Sequence, residues 1–389
     1  MTLSLSGRSL LRGPLTGLAT VLPSVNGDRP HWLFGGASGR SYSDNASVVH
    51  AKACATLVDV GPIWVIDRDS PDRRVVEEAG PIASRNTLHA HRLARSAEAI
   101  FFSHGVHDVP GLMWSPRPLK VRLGHGLTAF GRTRGRTPRS VKRMTDAIDL
   151  APVASRMEQD HKAEWGFPRS KLPITGLARW DAMLNARTDG SAQRNRPLIL
   201  YAPTSRPWHS DADVSPTGAF GPVYDFLQSD GLRSLLDAGA FDLAVYFHQI
   251  TRYRFGSLDW LPEGAYPATS EASLPNLIAG ASLVISDYSS ILWDALYLDT
   301  PVCFFQFDRE AHERERGSYI DLSTRLFGPN VGTVSELITE IEAAASDGFQ
   351  MLPWVEDRQR WQERAFEFRG PGNAERVLDV VQERLASRR

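Results

Sequence analysis

Residues 283–305 read LVISDYSSILWDALYLDTPVCFF, two apolar runs joined by a helical pattern. The first apolar run ends at Ser286-Asp287 and reads as a buried strand. Tyr288, Ser289 and Ser290 form a turn, a helical pattern follows, and a second apolar run begins after Asp299-Thr300-Pro301. Strand, helix and strand in this order build a parallel sheet covered by helices. A helix that starts at the carboxyl end of a parallel strand offers free backbone N–H groups and the positive end of its dipole. Ser289 and Ser290 add hydroxyl donors, so the turn reads as a phosphate site, at the edge where open α/β sheets take ligands. On local sequence alone the plainer reading, Ser289 as a helix cap, stays open.

Outward from this stretch the alternation continues. Strand candidates are 31–36, 63–67, 99–104, 119–126, 172–176, 198–203 and 243–248. Helical patterns lie near 44–57, 85–98, 155–166, 229–239, 274–281, 289–298 and 333–346, the last opened by a Thr333/Glu336 capping box. Two further helical stretches, 355–366 and 372–387, either close a second domain or cross back to the first. The polar stretch ARTDGSAQRNRP (186–197) divides the strands into two sets. The expected fold is α/β, with two Rossmann-like domains facing a cleft. The expected segments are a tail (1–30), an N-terminal domain (31–188), a C-terminal domain (189–370) and a final helix (371–389).

Composition narrows the function. A chain of 389 residues is too long for one compact core. A net charge of −1 excludes a global field that draws the protein onto nucleic acid. Only five of the 44 basic residues are Lys, so most cations are planar Arg forks suited to carboxylate or phosphate. Cys54 and Cys303, the only cysteines, exclude a disulfide scaffold and a Cys-rich zinc module and fit a reducing compartment. No apolar run reaches the ~20 residues of a membrane-spanning helix. The N-terminus is Leu-rich, carries Arg8 and Arg12, and has no acid before Asp28. Its apolar stretch is too short for a secretory signal. A weak amphipathic contact with an anionic membrane and a loosely packed tail are the two readings it leaves.

Other stretches carry chemistry. In LGHGLTAFGRTRGRTPRSVKR (123–143), His125 stands between two glycines at a strand end, where a neutral imidazole accepts a proton from a hydroxyl. From Arg117 to Arg143 there are nine cations and no acid, which suits a polyanionic substrate or a lipid surface; the alternative is a solvated basic loop. Arg206, in YAPTSR (201–206), is placed to clamp a phosphate, and His248 stands at another strand end. Asp67-Arg68-Asp69 is a short match to a metal-binding D-x-D, and acids after strands are ordinary turn formers. The pairs His89/His91 and His104/His107 lack third and fourth ligands at zinc spacing. There is no G-x-S-x-G elbow and no Walker A loop.

An ordered series of short motifs ties these stretches together. It comprises WLFGG (32–36), Asp44-Asn45, His125-Gly126, Gly176 with Arg179 and Asp181, YAPTSR, His248, SDYSSILWD (286–294) and Asp299-Thr300-Pro301. From about Trp32 to about Ile338 the chain resembles the CDP-glycerol glycerophosphotransferases, the teichoic acid and capsule polyol-phosphate transferases and polymerases of bacteria. The resemblance implies a fold of the GT-B type and His125 and His248 as the catalytic histidines. It implies Gly126, Thr204, Arg206, Ser289, Ser290 and Asp294 around the nucleotide-linked donor, and Arg179 on the acceptor side. Arg132, Arg134 and Arg136 of the basic segment are expected to hold the acceptor or a polyanion. No metal or other cofactor is implied, the CDP-polyol being a substrate.

The reaction implied moves a phosphopolyol, glycerol phosphate first of all, from a CDP-polyol to a hydroxyl of a lipid-linked or polyol-phosphate acceptor, with release of CMP. The expected partners are that donor, that acceptor and an anionic membrane surface, with no nucleic acid. The expected location is the cytoplasm, peripheral on the inner face of the plasma membrane. The chain departs from the family pattern at Gly124 and Leu127, where an aromatic and Thr are usual, at Ala178, where Pro is usual, and at Tyr246-Phe247-His248-Gln249, where Arg-x-His-Pro is usual. These departures leave three alternatives: a glycosyltransferase using a nucleotide sugar, a transferase of ribitol phosphate or another phosphopolyol, and a non-enzymatic polyanion-binding module.

Overall fold

The computed structural model describes residues 29–132, 138–206, 218–247, 251, 257–268 and 274–389. The chain divides into two compact units, one of residues up to 125, 137–181 and 370–389, the other of residues 126–136 and 182–369.

The first unit is built on a parallel sheet of five strands: β1 (His31–Gly35), β2 (Gly61–Ile66), β3 (Ile82–Ser84), β4 (Ala99–Phe102) and β5 (Leu119–Arg122). Their order is β3-β2-β1-β4-β5. The central strand HWLFG is buried along its whole length, because helices cover both faces of such a sheet. Alternate side chains feed two cores: Trp32 and Phe34 join Trp64 and Phe101 on one face, and Leu33 joins Val65 and Ile100 on the other. Phe34 lies opposite Phe101 across the β1–β4 register, and their rings stack at 4.4 Å. Gly35 ends β1 because a side chain there would meet the Asp108 carbonyl oxygen at 2.7 Å.

The second unit holds a parallel sheet of six: β6 (Leu198–Tyr201), β7 (Asp242–Tyr246), β8 (Ala265–Ala268), β9 (Leu283–Ser286), β10 (Val302–Phe305) and β11 (Asn330–Val331). Their order is β11-β10-β9-β6-β7-β8. β9, the helix Ile291–Tyr297 and β10 are the strand, helix and strand read from 283–305. The Thr333/Glu336 capping box forms in both directions, Glu336 N–H to Thr333 Oγ1 at 3.3 Å and Thr333 N–H to Glu336 Oε2 at 3.0 Å.

Three differences from the sequence reading have physical causes. β3, β8 and β11 were not expected; each is an edge strand of two to four residues, too short to stand out as an apolar run. Residues 172–176 are not a strand, for only Ile174 forms a single parallel bridge, to Val153. The chain also passes between units at different points from those expected. It passes at Asp181–Ala182, inside the helix Arg179–Thr188, and not within 186–197. Asp181 is engaged by the first unit, whereas Arg187 donates to Ala279 O at 3.2 Å and to Thr300 Oγ1 at 2.8 Å in the second. Residues 126–136, expected in the N-terminal domain, belong to the second unit because Phe130 is buried against Trp293 at 5.0 Å and Phe304 at 5.9 Å.

Of the two last helices, Val355–Ala365 stays in the second unit. Asn373–Ala386 closes the first, burying Ala374, Val377, Leu378 and Val381 against the core of Trp32 and Phe34. The Asp181 carboxylate accepts from the backbone N–H of Asn373 at 3.1 Å and of Ala374 at 2.8 Å, and from Asn373 Nδ2 at 2.7 Å. A carboxylate at this helix end meets both the free N–H groups and the dipole. Gly176 has φ +78°, and a Cβ there would lie 1.8 Å from Asn373 Oδ1. The motif residues Gly176 and Asp181 thus serve the docking of the final helix. Among the described residues no helix is long and apolar enough to cross a membrane.

Candidate active site

Two clusters of polar side chains form, one in each unit, both at carboxyl ends of parallel strands. In the first unit the loop after β5 delivers His125, an exposed residue. The His125 ring stacks on that of His104 with centroids 5.3 Å apart and planes 6° from parallel. Arg179 Nη1 donates to the His125 carbonyl oxygen at 2.9 Å and to Asp44 Oδ1 at 3.2 Å. Asn45 ties the same loop down: its Nδ2 donates to Gly124 O at 3.1 Å, and its Oδ1 accepts from the Arg179 backbone N–H at 2.9 Å. Desolvation by the surrounding protein lowers the pKa of His125 to about 4; Asp44 opposes this, while His104, Arg122 and Arg179 add to it. The ring is neutral at pH 7 and keeps an open face to water, where it can accept a proton.

Arg179 was expected on the acceptor side. It is buried and bonded to Asp44 and to the His125 carbonyl, so it organises the loop. His104 was read only as an incomplete zinc ligand. The available signal was its place after β4, at the sheet edge that also carries His125.

In the second unit the loops after β6 and β9 meet. Arg206 is 1 % exposed and is held by two carboxylates. It donates through Nε to Asp308 Oδ2 at 3.0 Å and through Nη2 to Asp308 Oδ1 at 2.9 Å, and Nη1 pairs with Asp287. Nη1 also donates to Thr204 Oγ1 at 2.9 Å. The Phe307 ring lies 5.0 Å from the guanidinium and that of Tyr288 5.5 Å. Burial by itself lowers the pKa of such a group; Asp287 and Asp308 outweigh it and hold Arg206 charged. Arg206, expected to clamp a substrate phosphate, has its forks engaged by these internal carboxylates. Its role is to fix Asp287, which in turn accepts from the backbone N–H of Thr204 at 3.0 Å and of Tyr288 at 2.7 Å.

Asp294, expected beside the donor, is wholly buried within the helix Ile291–Tyr297. Thr204, Ser289 and Ser290 are half-buried at the strand ends, as a ligand site requires. Ser289 Oγ accepts from the Ile291 N–H at 3.3 Å, and Ser290 precedes the helix without a side-chain cap bond. Sequence reading missed Asp287, Tyr288 and Asp308 as a network, because Asp308 lies 102 positions from the arginine it holds.

Of the basic segment, residues 126–136 fall in the second unit and the residues on either side of them in the first. Arg132 donates from Nε to Ser318 O at 2.6 Å and lies over the Tyr319 ring at 5.2 Å. It lines a cavity of about 450 Å³ with Arg309, Glu310, Glu313, Tyr319 and Asp321. Arg132, expected to hold the acceptor or a polyanion, thus shares that wall with carboxylates. Arg134, Arg136 and His248 lie outside the described residues, as does the tail up to residue 28.

The fold is of the GT-B type. Over 97 % of this chain it superposes on 94 % of a chain from "Structure of the Wall Teichoic Acid Polymerase TagF", with a TM-score of 0.77 at 16 % sequence identity. A family model described as CDP-Glycerol:Poly(glycerophosphate) glycerophosphotransferase matches residues 23–383, and the chain belongs to that family. It is 21 % identical over 321 residues to the teichoic acid poly(glycerol phosphate) polymerase of Staphylococcus epidermidis, covering 76 % of this chain and 43 % of that protein. It is 26 % identical over 254 residues to the teichoic acid poly(ribitol-phosphate) polymerase of Bacillus spizizenii, covering 58 % of this chain and 39 % of that one. The chain thus spans less than half the length of these relatives.

Proposed function

We propose that this protein transfers a phosphopolyol from a CDP-polyol to a hydroxyl of a lipid-linked or polyol-phosphate acceptor and releases CMP, in the synthesis of a teichoic acid or capsule-type polymer. Family membership names the donor class, and the observation that carries the chemistry is His125, a neutral, solvent-facing imidazole at the end of β5. In this reading His125 takes the proton of the acceptor hydroxyl while the oxygen attacks the polyol-bearing phosphorus. The P–O bond to CMP breaks, and CMP leaves with the electron pair. Little covalent chemistry falls to the protein in phosphoryl transfer, so positioning and charge do most of the work. Thr204, Ser289 and Ser290 offer hydroxyls to the diphosphate, on a frame kept rigid by Arg206 and Asp287. A lipid-linked acceptor places the protein on the inner face of the membrane.

The test is CMP release from CDP-glycerol with a polyol-phosphate or lipid-linked acceptor, for the wild type and His125→Ala. Loss of a general base costs about 10²–10⁴ in rate, so the variant is expected to fall by at least about a hundredfold. An equally active variant removes His125 from the mechanism. The ribitol-phosphate relative makes CDP-ribitol the second donor to test. Release of a nucleoside diphosphate from a nucleotide sugar, with no CMP from either polyol donor, would replace the reading with glycosyl transfer.

A further inference from the structure

His104 has no part in the reading above, yet the fold spends several contacts on it. Its Nδ1 accepts from the Ala37 backbone N–H at 3.1 Å. An N–H can only donate, so Nδ1 is unprotonated and the neutral ring carries its hydrogen on Nε2. Nε2 lies 3.7 Å from Asp44 Oδ2. The turn that supplies Ala37 is held by Asp108, which is fully buried and accepts from the N–H groups of Ser38 at 2.8 Å, His104 at 2.8 Å and Gly105 at 3.1 Å. Ala37, Ser38 and Asp44 have φ of +44°, +56° and +66°, three of the six described non-glycine residues in the left-handed region. Such conformations persist where the surroundings over-determine them, and they gather at functional sites.

These contacts close a ring of four side chains. Asp44 pairs with Arg179 through Oδ1 and faces His104 through Oδ2; Arg179 holds the His125 carbonyl; and the His104 ring stacks on the His125 ring. We infer that His104, set in its Nε2–H form by Ala37, is a positioning residue that fixes the orientation of the His125 imidazole. This inference rests on the proposal that His125 accepts the acceptor proton. His104 exchanges no proton itself, because protonation of Nδ1 would break its bond to Ala37. Between Gly124 and Gly126 nothing in the local chain restrains His125, and the stacked ring supplies that restraint. The charged and titratable groups facing His125 are Asp44 from the helix Asp44–Thr56, Arg122 from the end of β5, Arg179 from the helix Arg179–Thr188 and His104 itself.

Two measurements test this in the intact protein. In ¹⁵N-histidine NMR spectra, the wild type is expected to show His104 as the Nε2–H tautomer. His104→Ala is expected to raise the titration midpoint of His125 and alter its tautomer ratio. In turnover, His104→Ala is expected to lower kcat about ten- to hundredfold, the scale of a small misplacement of a catalytic group. Its donor KM should stay within about threefold, and the acid limb of kcat/KM should move to higher pH. His104→Phe, which restores the stacked ring, is expected to recover most of the lost kcat. An Nδ1–H tautomer in the wild type, an unmoved His125 titration, or a Phe variant as impaired as the Ala variant overturns the inference. A wild type that releases no CMP from any donor overturns the functional reading instead, and the NMR titration still decides the placement of His104.

Discussion

Removing the Arg206 guanidinium would leave Asp287 and Asp308 in the interior without a counter-charge. Breaking a buried ion pair from one side costs about 3–5 kcal/mol, so Arg206→Ala is expected to destabilise the second unit by roughly that amount in urea denaturation. Arg206→Lys is expected to rescue little, since an ammonium cannot fill two carboxylates and Thr204 at once. If the variant is fully stable but loses donor affinity, Arg206 is a substrate ligand after all. His50 gives a pH prediction of definite sign. It is fully buried, accepts or donates at 3.0 Å with the Tyr42 hydroxyl, and desolvation lowers its pKa to about 4. The unfolded chain binds a proton near the ordinary 6.5, so the native advantage is complete above that pH and erodes as the pH falls toward 4. By linkage the loss from this one ring is on the order of 3 kcal/mol. Denaturation midpoints between pH 7 and pH 4 check it, and His50→Gln is expected to flatten the slope.

Among the elements, the helix Asn373–Ala386 depends on a residue far from it in sequence. Asp181→Ala removes three hydrogen bonds from its N-terminus. Caps and charge-assisted bonds of this kind are worth about 1–3 kcal/mol, and a loss of that size is expected, with faster amide exchange in 373–386. An unchanged exchange rate would show that apolar packing alone holds the helix. Helices with strong local signals were legible in the sequence: Thr333 with Glu336 opens Val334–Ser346 where the capping box places it. The helices Arg73–Ala79 and Gly221–Leu227 were not; they are seven residues long, and no side chain caps their N-termini. Isolated helices so short are not stable in water, and tertiary packing makes them.

On the scale of the whole molecule, the final segment completes a core that begins near residue 31. Deleting 370–389 exposes the surface covered by Ala374, Val377, Leu378 and Val381. At about 1.5–3 kcal/mol for each large apolar side chain, the first unit is expected to lose roughly 5 kcal/mol or more. Calorimetry and limited proteolysis are expected to show that unit cleaved first while the second remains intact. Resistance of both units to protease would mean that the helix is dispensable.

The alternation of strand and helix, the two parallel sheets, the helix after β9 and the series of motifs that marks the family were all legible in the chain. Those features are local: a buried strand announces itself by its apolar run, and a turn by Gly, Pro, Asp or Ser. The sequence also brought His125 and the serines of the 288–290 turn to strand ends, where chemistry belongs in such folds. What only the tertiary structure decided is who meets whom. Arg206 and Arg179 read as ligands for an anion and proved to be held by Asp308, Asp287 and Asp44. Gly176 and Asp181 stood in the motif series with no role attached, and in the structure they dock the helix Asn373–Ala386. His104 acquired a partner in His125 only once β4 and β5 lay side by side. An arginine's chemistry is written in its residue type, but whether its fork faces a substrate or an internal carboxylate depends on contacts that no local pattern encodes.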